Sequence, residues 1–249
     1  MQSPQALVEA AERAAARSTA HSAAADVAGE EETFTGFGVT GVPFSSGYVL
    51  ALRRFAASSI GPGYTSVWIR DPAGAWSMQG TVAPGLSCPR YFGAALDSAS
   101  TSRISLTWSG SHAFTVDVDG GAALHWQLTL RSTTITRFMT VVSGAVPDRL
   151  WRSRAFLRAM GAVAGPLLGA GRLGLTGLAP NGQRFAVHPR RMWFVADSRA
   201  VLKGRDLGEP AALPVQDRLG DFWIPRRGIL MMGTAVFEPG DEAGRLAGA

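Results

Sequence analysis

The sequence predicts a mainly β protein: an antiparallel β-barrel or sandwich with an N-terminal helix and a helical insertion near residues 148–165. Three observations carry this. Apolar residues recur with period two from Gly47 to about Val142, the spacing of half-buried strands. Strand follows strand across short turns, without the alternating helices that a parallel sheet requires. After Val146 the spacing becomes helical for one segment and then returns to strands. With 249 residues, of which 46% are hydrophobic and 17% charged, the chain can bury a sizeable core without disulfide staples. We divide it into a helical or flexible leader (1–33), a single β-rich domain (34–240) with a helical insertion at 147–177, and a tail (241–249).

In chain order, Ser3 can cap a helix that Pro4 opens, with Leu7, Val8, Ala11, Ala14 and Ala15 as a thin apolar stripe beside a Glu9–Arg13 pair. After Ser18, small residues and then Glu30, Glu31 and Glu32 read as a mobile leader. Tyr48, Leu50 and Leu52 alternate with Val49, Ala51 and Arg53 in the first strand, and Gly61-Pro62-Gly63 turns the chain into a strand over 64–70. Asp71-Pro72-Ala73-Gly74 joins it to 76–82 as a hairpin, since Pro presets φ for the turn and Gly accepts the left-handed position.

Residues 103–109, 113–119 and 124–131 predict three further half-buried strands, bearing Ile104, Leu106 and Trp108, then Phe114, Val116 and Val118, then Leu124, Trp126, Leu128 and Leu130. A pairing must keep apolar residues on one face. A two-residue loop at Gly120-Gly121 mixes the faces, whereas a three-residue loop sets Val118 opposite Leu124, Val116 opposite Trp126 and Phe114 opposite Leu128. That register places Asp117 across from His125.

Beyond Val146, Pro147 and Asp148 open a helix from Arg149 to about Val163, which Gly165-Pro166 should stop. A glycine-rich connector runs to Gly177. Strands resume after the Pro180-Asn181-Gly182 turn, over 183–188, 192–196, 199–203 and 222–237, the last broken at Pro225.

Several function classes are excluded or disfavoured. Cys88 is the single cysteine, so there is no intramolecular disulfide and no clustered-cysteine metal site, which suits a reducing compartment and a cytoplasmic location. No secretory leader is visible, and the longest apolar stretch, 159–171, is too short for the roughly 20 residues of a spanning helix. Gly169-Ala170-Gly171-Arg172-Leu173-Gly174 matches a dinucleotide-binding string without its strand and helix context, and no G-x-S-x-G, H-E-x-x-H or phosphate-loop motif occurs. The four histidines are dispersed, and Lys203, the single lysine, sits at a polar strand end. No metal or other cofactor is called for.

What remains is acid–base or binding work. Asp117 and His125 are the candidate catalytic pair, because a carboxylate beside an imidazole can orient it and adjust its pKa; on an outward face the same pair is a solvated contact. Arg90 and Tyr91, in the loop that also holds Cys88, are candidate substrate-binding residues. Trp126, one of the aromatics that could line an apolar cavity, and Arg131, on the polar face of its strand, complete that set. Asp217, Asp221, Trp223, Arg226 and Arg227 read as an ion-paired surface turn.

The formal charge of +5 is concentrated in the second half, with Arg149, Arg152, Arg154, Arg158, Arg172, Arg184, Arg190 and Arg191 among apolar residues. An anionic membrane surface is therefore a candidate partner, and nucleic acid is disfavoured for want of interleaved aromatics or a reading motif.

Within the Trp-rich meander over 47–142, the stretch Trp68-Ile69-Arg70-Asp71-Pro72-Ala73-Gly74-Ala75-Trp76-Ser77-Met78-Gln79 resembles the lipocalin-like (calycin) β-barrel family related to carotenoid hydratases and cyclases. The resemblance implies an apolar cavity in which a hydrophobic small molecule is cyclised, hydrated or isomerised without a redox cofactor. It assigns no catalytic residue. The functional expectation is a cofactor-independent enzyme on a hydrophobic small molecule; the alternative is a noncatalytic ligand-binding or membrane-surface protein.

Overall fold

The computed structural model describes residues 3–19 and 31–239. Helix α1 (Pro4–Thr19) precedes strands β1 (Glu32–Pro43), β2 (Val49–Ser58), β3 (Tyr64–Arg70) and β4 (Trp76–Gly80). A short helix α2 (Pro89–Phe92) leads to β5 (Ser98–Thr101), β6 (Ile104–Gly110), β7 (Ala113–Val118) and β8 (Leu124–Arg131). Helices α3 (Thr134–Ala145), α4 (Asp148–Trp151) and α5 (Arg154–Leu167) follow. Strands β9 (Thr176–Leu178), β10 (Arg184–Leu202), β11 (Arg205–Asp206), β12 (Arg218–Leu219), β13 (Phe222–Trp223) and β14 (Ile229–Phe237) complete the described chain.

The main sheet is a curled, antiparallel-rich half-barrel in the order β5-β4-β3-β2-β1-β14-β10-β8-β7-β6. Strand β10 joins its two halves: residues 185–194 pair with β14 and residues 194–202 pair with β8, with register shifts at Pro189/Arg191 and Val195/Asp197. Proline has no donor for a ladder, so Pro189 suits a position where the ladder breaks.

The two faces of the sheet carry separate cores. From β2, Leu50 and Leu52 join Val67, Phe114, Val116, Trp126 and Leu128, together with Val8 of α1. Val49 and Ala51 point the other way, to Tyr64, Trp68, Cys88, Tyr91, Phe92, Phe185 and Phe237. Strands β2 and β3 are thus covered on both sides, which is why 49–53 and 64–69 are buried without interruption, while β8 alternates strictly between buried and exposed. The space between β1–β3 and β7–β8 is filled by side chains. Trp126 is fully buried there and donates its indole N–H to Ser198 Oγ at 2.8 Å.

The mainly β expectation holds, and the β7–β8 register is the one deduced from alternation, including Asp117 opposite His125. The 71–74 turn closes with Gly74 N donating to Asp71 O at 3.0 Å and Gly74 at φ +100. Other expectations are corrected. The period-two reading runs to Val142, yet Thr134–Ala145 is helical. Its β-branched residues favour strands, but Thr133 and Thr136 form a reciprocal capping box, and Ile135 and Met139, one turn apart, pack under it.

The single helix expected from Arg149 is divided, with a break at Arg152-Ser153 where Ser153 caps α5. Pro166 does not stop α5: the helix reaches Leu167 and is ended by left-handed Gly169. Strand β1, where the sequence predicts no strand, starts at Glu32 inside the expected leader and runs to Pro43, and the three strands expected over 183–203 are one continuous bent strand. Most of the 19–33 leader and all of the 241–249 tail lie outside the described residues.

Candidate functional site

A cavity of about 110 Å³ lies against the face of β1–β3, β14 and β10 that carries the second core. Its floor is shaped by missing side chains. Gly36 pairs with Gly233 across β1 and β14, and Gly38 pairs with Arg53 across β1 and β2. A Cβ on Gly38 would stand 2.6 Å from Leu52 O and 2.9 Å from Arg53 Cδ, so only glycine lets the arginine lie across the strand. The roof comes from Cys88, Tyr91 and Phe92, from the connector at Leu173-Gly174-Leu175, and from Phe222, Trp223 and Pro225. The lining is overwhelmingly apolar and aromatic, as small-molecule sites are.

Arg53 is the charged residue of this lining and is only 8% exposed. Its Nη1 donates to Val39 O at 2.7 Å and Leu52 O at 2.8 Å, beside the register shift in β1. The guanidinium lies 4.6 Å from the Trp68 ring centre and 5.3 Å from that of Phe222. Nη2 has no partner. Burial lowers the Arg53 pKa to about 10, partly offset by Cys88 and Tyr64, so it stays a cation at neutral pH. Among the described residues no carboxylate acts on it. An unpaired buried charge is costly to hold.

The groups around it are protonated too. Tyr64, Ser66 and Trp68 alternate onto the same face of β3, with Ser66 directly opposite Arg53. Tyr64 OH lies 3.4 Å from Cys88 Sγ, and Ser66 Oγ and Trp68 Nε1, both buried, have no partner among the described residues beyond weak interactions with the same thiol. Burial pushes the Tyr64 hydroxyl well above 10, with the neighbouring thiol adding to it. Burial likewise raises the Cys88 thiol, outweighing the Tyr64 hydrogen bond, the Arg53 charge and the weaker Trp68 and Ser66 hydrogen bonds to it.

At the rim, Glu32 accepts from Arg90 Nη2 at 2.6 Å and from Tyr91 OH at 2.6 Å, and Asn181 Nδ2 donates to Arg90 O at 3.1 Å. Burial alone would raise the Glu32 carboxyl; the Arg90 and Tyr91 hydrogen bonds reverse this and hold it below the usual value. The Tyr91 ring stacks on Phe237 at 3.6 Å. Across the turn between β12 and β13, Asp217 is ion-paired with Arg70, and Asp221 Oδ2 accepts from Leu178 N at 2.9 Å.

The candidates drawn from sequence are dispersed. Tyr91 lines the cavity, and Arg90 stands behind it on Glu32. Asp117 and His125 are hydrogen-bonded at 2.6 Å, with side chains 41% and 51% exposed, on the solvent side of the β7–β8 hairpin. Trp126 belongs to the other core, and Arg131 is exposed at the end of β8. None of these last four lines the cavity. Lys203 is exposed at φ +51 in the turn between β10 and β11. Sequence reasoning passed over Arg53, Tyr64 and Trp68. The signal was present: Arg53 falls on the face of Val49, Ala51 and Phe55, where an arginine should not sit without a reason.

No protein-family model and no curated protein matches the chain. Among solved structures it is similar to an acetoacetate decarboxylase from Legionella pneumophila subsp. pneumophila str. Philadelphia 1, with a TM-score of 0.40 and 10% identity over 85% of this chain and 86% of that one. A likeness of that degree carries nothing about the chemistry of this chain, whose site stands on its own residues.

Proposed function

We propose that this protein takes up a hydrophobic small molecule in the cavity beneath Tyr91 and Phe222. The observation that carries the reading is the cavity itself: about 110 Å³, walled by aromatic and aliphatic side chains over a floor left open by Gly36, Gly38 and Gly233. One water needs roughly 10–15 Å³ by this measure, so the space suits a larger guest. Tyr64, Cys88 and Arg53 all hold their protons at neutral pH. They can donate to a bound oxygen and polarise it, but none can abstract a proton. Cofactor-independent cyclisation, hydration or isomerisation there would therefore work through hydrogen-bond donation, with binding as the primary act.

The test is mass spectrometry of compounds extracted from the purified protein, beside Ala235→Phe, which fills the floor at β14. A discrete apolar compound should accompany the native chain and be depleted in the folded variant. Equal recovery from both would refute the assignment.

A second reading concerns the helical layer. Helices α3 and α5 share one core, through Met139, Ala164 and Leu168, yet leave Phe138 56%, Val141 70%, Val163 65% and Leu167 45% exposed. Arg137, Arg149, Arg152 and Arg158 are exposed on the same helices and the α4 segment. Apolar side chains among arginines favour an anionic lipid surface. Co-sedimentation with phosphatidylglycerol vesicles, absent with phosphatidylcholine and weakened by Val141→Ser/Val163→Ser, is expected; no sedimentation with either lipid sinks this reading.

A further inference from the structure

We propose that the molecule bound in this cavity is an apolar monocarboxylic acid, and that its carboxylate is received by Arg53 Nη2 together with Trp68 Nε1 and the Tyr64 hydroxyl. The proposal rests on the cavity reading above and adds the chemical class of the guest. It starts from an imbalance. Among the described residues Arg53 Nη2 is buried without a partner, and Ser66 Oγ and Trp68 Nε1, buried at adjacent positions on the same face of β3, find no acceptor better than the Cys88 thiol. All three can donate, and the Tyr64 hydroxyl beside them meets only a thiol, a weak acceptor. Buried polar groups are nearly always satisfied, so a site with surplus donors and a cation lacks an anion.

The charge of the guest follows from what lines the cavity. Arg53 is the charged residue of the lining, and its Nη1 is committed to Val39 O and Leu52 O. One cation matches a single negative charge; a phosphate dianion would need further cations. The aromatic and glycine-floored remainder accepts the apolar body. Arg53 cannot be exchanged for a surface cation in this role, because its place depends on the absent side chain of Gly38.

Isothermal titration with matched probes tests this: 3-phenylpropionate against 3-phenylpropan-1-ol, and octanoate against octan-1-ol. The acids should bind the native protein about 10- to 100-fold more tightly than the alcohols, the range for a hydrogen bond to a charged group. Arg53→Met should abolish that preference while the alcohols still bind. Equal affinity for acid and alcohol in the native protein would overturn the carboxylate proposal and leave the cavity reading standing. Binding of neither class would overturn both. If Arg53→Met does not fold, Trp68→Phe, which keeps the ring and removes Nε1, should lower the acid-to-alcohol ratio several-fold; an unchanged ratio overturns the proposal.

Discussion

Replacing Arg53 by methionine removes a buried charge and keeps an unbranched side chain of similar reach against Trp68 and Phe222. Two opposing effects can be sized. The fall of the Arg53 pKa from 12.5 to about 10 corresponds to roughly 3 kcal/mol held against the charged form in the folded state, at about 1.4 kcal/mol per tenfold. Against that relief stand the Nη1 bonds to Val39 O and Leu52 O, about 1.5 kcal/mol each for a charged donor, and up to ~2 kcal/mol of cation–ring attraction. The net change should be a loss of no more than about 2 kcal/mol, a Tm shift of roughly 8 °C or less for a chain of this size. Breaking a buried ion pair would instead cost about 3–5 kcal/mol. Urea unfolding and calorimetry of delipidated native and Arg53→Met protein separate the two cases. A loss of 3 kcal/mol or more would mean that Arg53 has a counterion in the empty fold, and the reasoning about its vacant nitrogen would fail.

Two further outcomes follow from the rim and the outer hairpin. Glu32 has a folded carboxyl pKa below its free value of 4.5, so its contribution to stability is complete above that pH and is lost as pH falls through the lower folded value. Glu32→Gln should therefore flatten the stability profile below about pH 4.5 and cost about 1–3 kcal/mol near neutrality by leaving the Arg90 charge unpaired, as read by urea midpoints across pH; an unaltered profile would show that the Arg90–Glu32–Tyr91 bonds do not hold the carboxylate. His125→Gln should shift stability by less than about 1 kcal/mol and leave ligand affinity unchanged in titration, because the Asp117–His125 pair is half exposed and away from the cavity lining. A large loss of affinity in that variant would return the pair to the functional site.

The β7–β8 pairing was legible from sequence because each strand has one buried and one wet face, and only one loop length keeps Phe114, Val116 and Val118 opposite Leu128, Trp126 and Leu124. Where both faces are covered, that information disappears. In β2 the alternation separates two cores rather than core from solvent, so the pattern marks Arg53 as out of place without saying that it faces a cavity. Helix α3 was hidden by Ile135, Val141 and Val142, whose strand preference is overruled by a Thr133 cap and by packing on β10. The cavity was the least legible feature. Its floor needs Gly36 beside Gly233 and Gly38 beside Arg53, and no local pattern reports the first of those pairings. Tyr91 was reached because a loop between strands is a reasonable place to look; its partner Glu32 was taken for leader.

The place of β14 in the sheet sets an order of manufacture. Strand β14 lies between β1 and β10, and the contact of Gly36 with Gly233 spans nearly the whole described chain. While the polypeptide is leaving the ribosome, β1 can form its hairpin with β2, but its other edge has no partner until the segment from Ile229 to Phe237 emerges. The β6–β8 meander can be complete by then, since its pairings are local. The nascent protein thus has a finished outer wall before it has a floor for its cavity, and a chain terminated before Ile229 would have every lining residue of β2, β3 and α2 yet no compartment for them to enclose.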